Sequence, residues 1–411
     1  MLTRRAAAQL LATTAVTAAL GSGAAFAAEK TVKIGLDLSL TGADSQGAAR
    51  VRNAIIMAFD AANQGNGVPG YKFDLLTLDD GTATAGQYDP AQAATNARKM
   101  VADKDVVASI GPQMSGAGKA MTPILSQGGL ATITPSSTNP DITNPKFADQ
   151  YRPAGKPIYF RTVTTDAFQG PNMANFLAEK LKIKSVFILD DSGAFGVGIA
   201  DTFQKQTEAK GVKVLGRDRL DPKAADYTAI LTKIKSLAPE ALYYGGVTLA
   251  GVKLAKQAYD IIPNIIKAGP DGMYSADLLS GAGFPAVEGW YTSIAAPHLT
   301  EDTKAAQFIQ AFRGRFNDSP DDYTITAYDA SLVIIDAVKR IAASGKPVTR
   351  ESVRDAIQTA KVPTIQGVVS FDANGDLADR TVSVFQIKRD TTKPLTDVSA
   401  QYKYLDVAPQ S

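Results

Sequence analysis

Two apolar runs of strand length, Val106–Ile110 and Leu130–Ile133, flank a segment that fits one short helix, Lys119–Gln127, before Gly128-Gly129 stops it. No other stretch constrains the fold as strongly. Unbroken apolar runs this short belong to strands buried on both faces, as in a parallel sheet covered by helices. Each run ends in small polar residues: Pro112-Gln113-Met114-Ser115-Gly116 after the first, Pro135-Ser136-Ser137-Thr138 after the second. In open sheets of this type, ligands sit outside the carboxyl ends of the strands. Ser115 and Thr138 are therefore expected side by side on that edge, each with a hydroxyl and a nearby backbone N–H. Ser115 also stands near a helix N-terminus, where an anion is favoured. The pair reads as a shelf for a carboxylate. Ser and Thr after strands also serve as turn formers and N-caps, so the reading rests on two such loops following consecutive strands.

The same alternation runs through the chain. Val32–Leu38 reads as a buried first strand, and Gly47–Asn63 places Val51, Ala54, Ile55, Ala58, Phe59 and Ala62 at helical spacing. Tyr71–Leu78 is a second strand, and Pro90–Asp103 a helix with proline suited to its first turn. Asn139–Pro157, with four prolines, breaks the rhythm as a surface excursion. A second set follows: helices Phe168–Leu181, Gly198–Lys210, Tyr227–Leu237 and Leu249–Tyr259 alternate with strands Ser185–Leu189, Val212–Arg217, Ala241–Tyr244 and Ile265–Ala268. Helices Lys304–Phe316, Tyr323–Ala342 and Arg350–Thr359 and a strand Val368–Phe371 then belong with the first set. This implies an α/β fold of two lobes, each a doubly wound parallel sheet flanked by helices. The chain is expected to cross at Phe160–Thr164, near Trp290–Ala295 and from about Val384, giving three hinge crossings. One lobe would hold residues 28–164 and 296–383, the other 165–295 and 384–411.

Composition narrows the function. Apolar content of 45% and charged content of 20% describe a soluble globular chain. With no cysteine, disulfides, thiolate metal sites and cysteine nucleophiles are excluded, and a single histidine, His298, leaves little room for histidine catalysis. Residues 1–27 read as a signal peptide: Arg4-Arg5, an apolar Ala6–Leu20 stretch, then Ala25-Phe26-Ala27 as a small-x-small cleavage site. Thr3-Arg4-Arg5 suggests twin-arginine export; Ala6-Ala7-Ala8 keeps Sec export open. No cysteine follows the apolar run, so a lipid anchor is not expected. The formal charge of +2 resides in the leader's Arg4 and Arg5, leaving a balanced mature chain without a case for nucleic acid. Gly118-Lys119 lacks the spacing of a phosphate loop, and Leu377 stands where a calcium loop beginning at Asp372 requires glycine. Asp79-Asp80 and Asp190-Asp191 read as solvated loop charges. No cofactor is expected.

SIGPQMSGAG and ATITPSSTNPDIT resemble the ligand loops of the periplasmic leucine/isoleucine/valine-binding protein family, the type I solute-binding proteins of ABC importers. The likeness extends through VKIGLDLSLTG, FRTVTTDAFQGP, DDSGAFGVGIA, ALYYGG and FDANGDL, in the family's order and across nearly the whole mature chain. The resemblance implies that Ser115 and Thr138 hold a ligand carboxylate, while the Ser136 carbonyl and Asp271, from the opposite lobe, hold its ammonium. Asp271 in Gly269-Pro270-Asp271-Gly272 otherwise reads as a turn residue. Phe195 matches an aromatic position packing on the ligand, with a core role as the alternative. Gln46 and Val247 match positions where leucine-binding relatives carry tyrosines, which removes two aromatic walls and unsettles a branched-chain preference. Met114 and Tyr323 fit the same pocket or the ordinary core. The implied protein is a monomeric periplasmic component that closes on an amino acid and docks on an inner-membrane ABC permease. Alternatives are the same fold binding an amide, urea or aromatic carboxylate, a ligand sensor for a receptor, and, last, an enzyme.

Overall fold

The computed structural model describes residues 29–410 apart from Asn66; the expected signal peptide lies outside the described residues. Two open sheets organise the chain. The first has five strands, all parallel, in the spatial order Tyr71–Asp79, Lys30–Leu38, Val106–Ile110, Ala131–Thr134, Tyr159–Arg161. The second has seven, in the order Tyr402–Val407, Ser383–Ile387, Tyr291–Ile294, Ile266–Gly269, Ala241–Gly245, Ser185–Asp190, Lys213–Arg219. Its last five are parallel, whereas the two C-terminal strands run antiparallel along one edge.

Helices on both faces explain why the central strands are unbroken apolar runs. Every residue of Val106–Ile110 and Ala241–Gly245 is buried. On one face of the first sheet, helix Ser45–Gln64 lies against helix Asp322–Ala343, and Val51, Ile55, Phe59, Ile334 and Val338 join the strand residues in one core. Ala93, Ala97, Met100, Met121 and Leu125 fill the other face from helices Pro90–Ala102 and Ser115–Gln127. The second sheet is covered likewise, by Met173, Leu177 and Phe203 on one side and by Leu231, Leu254, Leu279 and Trp290 on the other. Each such aliphatic or aromatic side chain contributes about 1.5–3 kcal/mol by leaving water.

The chain passes between the two bodies between Arg161 and Asp166, after Ile294, and between Leu377 and Ser383. These passages are bonded to one another and to the first lobe: Thr164 N–H donates to the Ala295 carbonyl at 2.8 Å, Ser383 Oγ to the Ala296 carbonyl at 2.9 Å, and Thr162 Oγ1 to the Thr326 carbonyl at 2.9 Å.

Four local expectations are corrected. The helix expected from Lys119 begins at Ser115, because Gly116 and Gly118 lie against other groups: a Cβ on either would stand 2.7 and 2.6 Å from the Tyr88 ring and the Tyr159 hydroxyl. The third crossing, expected from about Val384, comes earlier: Ser383–Ile387 is already a strand of the second sheet, so the chain passes over between Leu377 and Ser383. The strand expected at Val368–Phe371 is Gly367–Val369, paired only with Val362–Thr364 as a separate hairpin. The proline-rich 139–157 segment is not merely a surface excursion, since Asn139, Ile142 and Tyr151 are buried.

Candidate functional site

Loops from the carboxyl ends of both sheets converge on one cleft of about 660 Å³, its mouth included. The first lobe supplies Asp44, Gln113, Met114, Ser115 and Ser136, with Asp321 and Tyr323 from the start of the Asp322–Ala343 helix; the second supplies Phe195, Val247, Asp271, Tyr274 and Ser275. Seven of the nine residues singled out from sequence thus stand on one wall or the other: Met114, Ser115, Ser136, Phe195, Val247, Asp271 and Tyr323.

The shelf is built from two stitched loops. Ser115 opens the Ser115–Gln127 helix, and its predecessor Met114 offers no side-chain cap. The first-turn N–H groups of a helix have no intrahelical acceptor, so this end favours an anion. Ser115 Oγ accepts from the Asn139 N–H at 3.2 Å, and Ser136 Oγ donates to the Gln113 carbonyl at 3.0 Å. Behind them Arg161, fully buried, donates to the Ser137 carbonyl, to the Asn139 carbonyl at 2.7 Å, and through Nε to Asp376 at 2.8 Å. The guanidinium satisfies carbonyls that a polar loop would otherwise bury unpaired. Thr138 is not on the cleft wall. It is fully buried, and its hydroxyl lies against the Asp166 carboxylate.

Across the cleft Asp271 follows the Ile266–Gly269 strand and opens a short 3-10 turn. One carboxylate oxygen accepts from Gln169 Nε2 at 2.9 Å, the other from the Tyr323 hydroxyl at 2.7 Å, the latter a bond from the first lobe. Burial raises its pKa to about 6, against the pull of these two donors. Asp166, at the start of the Asp166–Glu179 helix, shares the Gln169 amide at 3.1 Å; burial and then the Asp271 charge push it to about 8. At neutral pH the pair therefore holds mainly one negative charge, carried by Asp271. Phe195 and Val247 pack with Met114 and Ile199 as a small apolar cluster beside these polar groups.

Gln46 does not line the cleft. It lies in the first turn of the Ser45–Gln64 helix, where N–H groups need acceptors, and Asp277 of the second lobe supplies one: the Gln46 N–H donates at 3.1 Å and its amide at 3.0 Å. It is an interlobe clasp rather than a wall. The aspartate pairs are also not solvated. Asp80 and Asp190 are fully buried and Asp191 nearly so, while Asp79 is half-buried; Asp79 accepts from the Leu40 and Gly81 N–H groups at 2.9 and 2.8 Å, and Asp80 from the Ser39 hydroxyl at 2.8 Å. Asp191 accepts from Gly193 at 2.9 Å and Val247 at 3.0 Å, and Asp190 accepts from Arg217 at 3.0 Å. Sequence reasoning missed Gln113 and Asp44 on the wall and Asp166 and Gln169 behind it. Gln113 sits inside the very loop that was singled out; Asp166 and Gln169 lie on a helix whose start was placed too late to include Asp166.

Residues 31–392 match the periplasmic binding protein family. The chain belongs to that family. Among its periplasmic binding protein relatives is the leucine-, isoleucine-, valine-, threonine- and alanine-binding protein of Pseudomonas aeruginosa, 30% identical over 89% of this chain and 92% of that protein. A Leu/Ile/Val-binding protein of Rhizobium johnstonii is 30% identical over 90% and 96%. The crystal structure of a leucine binding protein from Thermotoga maritima superposes with a TM-score of 0.78 at 25% identity, covering 92% of this chain and 98% of that one. The two-lobed architecture is thus the family's own.

Proposed function

We propose that this periplasmic binding protein is the solute-binding component of an ABC importer and holds an amino acid between its lobes. The observation that carries the reading is Asp271. A carboxylate from one lobe, buried and steered by Tyr323 of the other, faces a cleft that also contains the uncapped helix end at Ser115. An α-amino acid presents complementary charges to both. Its carboxylate is received by the first-turn N–H groups and the Ser115 hydroxyl, and its ammonium by Asp271 and the Ser136 carbonyl. A desolvated ammonium requires such an opposite charge. Phe195, Val247 and Met114 cover the ligand's apolar surface. The names of the relatives support an amino acid as the solute class.

The lobes, residues 29–161 with 296–377 and residues 166–294 with 383–410, move about the three crossings between them. Closure is favoured because ligand contacts from both lobes exist together only in the closed form. The protein acts as a periplasmic monomer, and the closed form is what an inner-membrane permease recognises. Calorimetry on ligand-stripped protein with a tight-binding amino acid, its des-amino acid and its decarboxylated amine tests the reading. Both truncated analogues bind at least a hundredfold more weakly if the zwitterion is recognised; a des-amino acid that binds as tightly as its parent refutes it.

A further inference from the structure

Asp44 immediately precedes the Ser45–Gln64 helix, where aspartate ordinarily turns its side chain back to cap the first N–H groups. Here it makes no cap bond, and it is only 6% exposed on the cleft wall, where among the described residues one carboxylate oxygen is buried without a bond and the Thr248 hydroxyl is the side-chain donor beside the group. Gln113, on the same wall, likewise buries its amide oxygen without a donor. Both atoms are acceptors, and neither satisfies the bonding that burial demands. Among the described residues no lysine, arginine or histidine lines the cleft, and the nearby Arg50 is held by Asp318 at 2.8 and 3.0 Å and by the Thr396 carbonyl at 3.0 Å, its Nη1 3.9 Å from Asp321. Asp44 and Asp271 are separate centres: the acidic neighbours acting on Asp44 are Asp277, Asp191 and Asp80, whereas the charge of Asp271 acts on Asp166. Burial, opposed by the Thr248 hydroxyl and reinforced by those acids, lifts Asp44 to about 7, the behaviour of a carboxyl group lacking a cation.

Resting on the amino-acid reading above, we infer that the ligand's side chain ends in a nitrogen donor, cationic or amide, received by the Asp44 carboxylate and the Gln113 amide oxygen. Val51, Met114, Phe195 and Val247 cover the aliphatic stem of such a side chain while its polar head reaches the acceptors. A branched aliphatic side chain leaves both acceptors buried and unpaired, and that discriminates strongly against it.

Calorimetry on the ligand-stripped mature protein with leucine, glutamine, arginine and ornithine reads the preference. The expected result is that arginine, ornithine or glutamine binds at least tenfold more tightly than leucine. Asp44→Leu then removes at least tenfold of that preference and strengthens leucine. Asp44→Asn, closest in shape, guards against a folding defect and weakens the cationic ligands more than glutamine. Leucine as the tightest ligand overturns the inference, as does an Asp44→Leu variant that weakens all ligands equally, which makes Asp44 an interlobe contact to Thr248. Failure of every amino acid to bind overturns the parent reading instead.

Discussion

Replacing Asp271 by asparagine keeps the side chain's size and removes its charge. In the folded protein this carboxylate accepts from Gln169 at 2.9 Å and Tyr323 at 2.7 Å and is only 8% exposed. The asparagine oxygen retains one of these bonds, so the free protein is modestly affected, and relieving repulsion with Asp166 offsets part of the loss. The bound state loses far more. An ammonium left in a dehydrated cleft without its counter-charge costs about 3–5 kcal/mol, a weakening on the order of a hundredfold to a few thousandfold. A pH dependence accompanies it. Burial raises Asp271 to about 6, while a bound ammonium favours its ionised form. Affinity therefore falls as pH drops below about 6, and binding there releases a proton. The variant lacks this proton release. Titration calorimetry at neutral pH and at pH 5, in buffers of different ionisation enthalpy, measures both effects. Near-equal affinities of wild type and Asp271→Asn for an amino acid refute the reasoning.

Three further outcomes are expected. Arg161→Met strips the buried guanidinium from Asp376 and from the Ser137 and Asn139 carbonyls, costing about 3–5 kcal/mol in denaturant unfolding; a loss below about 1 kcal/mol contradicts its place behind the shelf. Gln46→Ala removes the amide bond to Asp277, about 0.5–1.5 kcal/mol, and small-angle scattering should show a larger mean radius of gyration in the free protein but not in the liganded one; an unchanged free form removes the clasp. Asp44, Asp166, Asp191, Asp271 and Asp329 all have pKa values raised above the ordinary 3.8, to between about 6 and about 8, chiefly by burial. The folded state therefore binds more protons than the unfolded one between pH 4 and 8, and stability falls as pH rises through that window. Melting of the ligand-free protein should be higher near pH 5.5 than at pH 8, and a rise toward pH 8 contradicts these shifts.

The sequence shows the architecture wherever strands are buried on both faces, since the run of Val106–Ile110 can satisfy no other environment. It misleads where glycine serves packing rather than a turn, as at Gly116 and Gly118, whose missing side chains admit Tyr88 and Tyr159 and let the helix start four residues early. Site residues were legible where they ended strands in the first and second lobes, as Ser115 and Asp271 did. Gln46 and the aspartate pairs were misjudged for one reason: whether a polar side chain faces solvent, a helix end or the other lobe depends on contacts between residues 231 apart, as in Gln46 and Asp277, which no local pattern encodes. The outermost antiparallel strand escaped notice because Tyr402–Val407 exposes most of its residues and carries little apolar periodicity.

The most direct test of the central claim is to identify what the protein carries. Protein exported to the periplasm and purified without denaturation is weighed by native mass spectrometry, then unfolded, and the released small molecule is identified. One α-amino acid per chain is expected, lost from the Asp271→Asn variant. A bound molecule lacking either the α-ammonium or the α-carboxylate, such as an aromatic acid, an amide or urea, contradicts it.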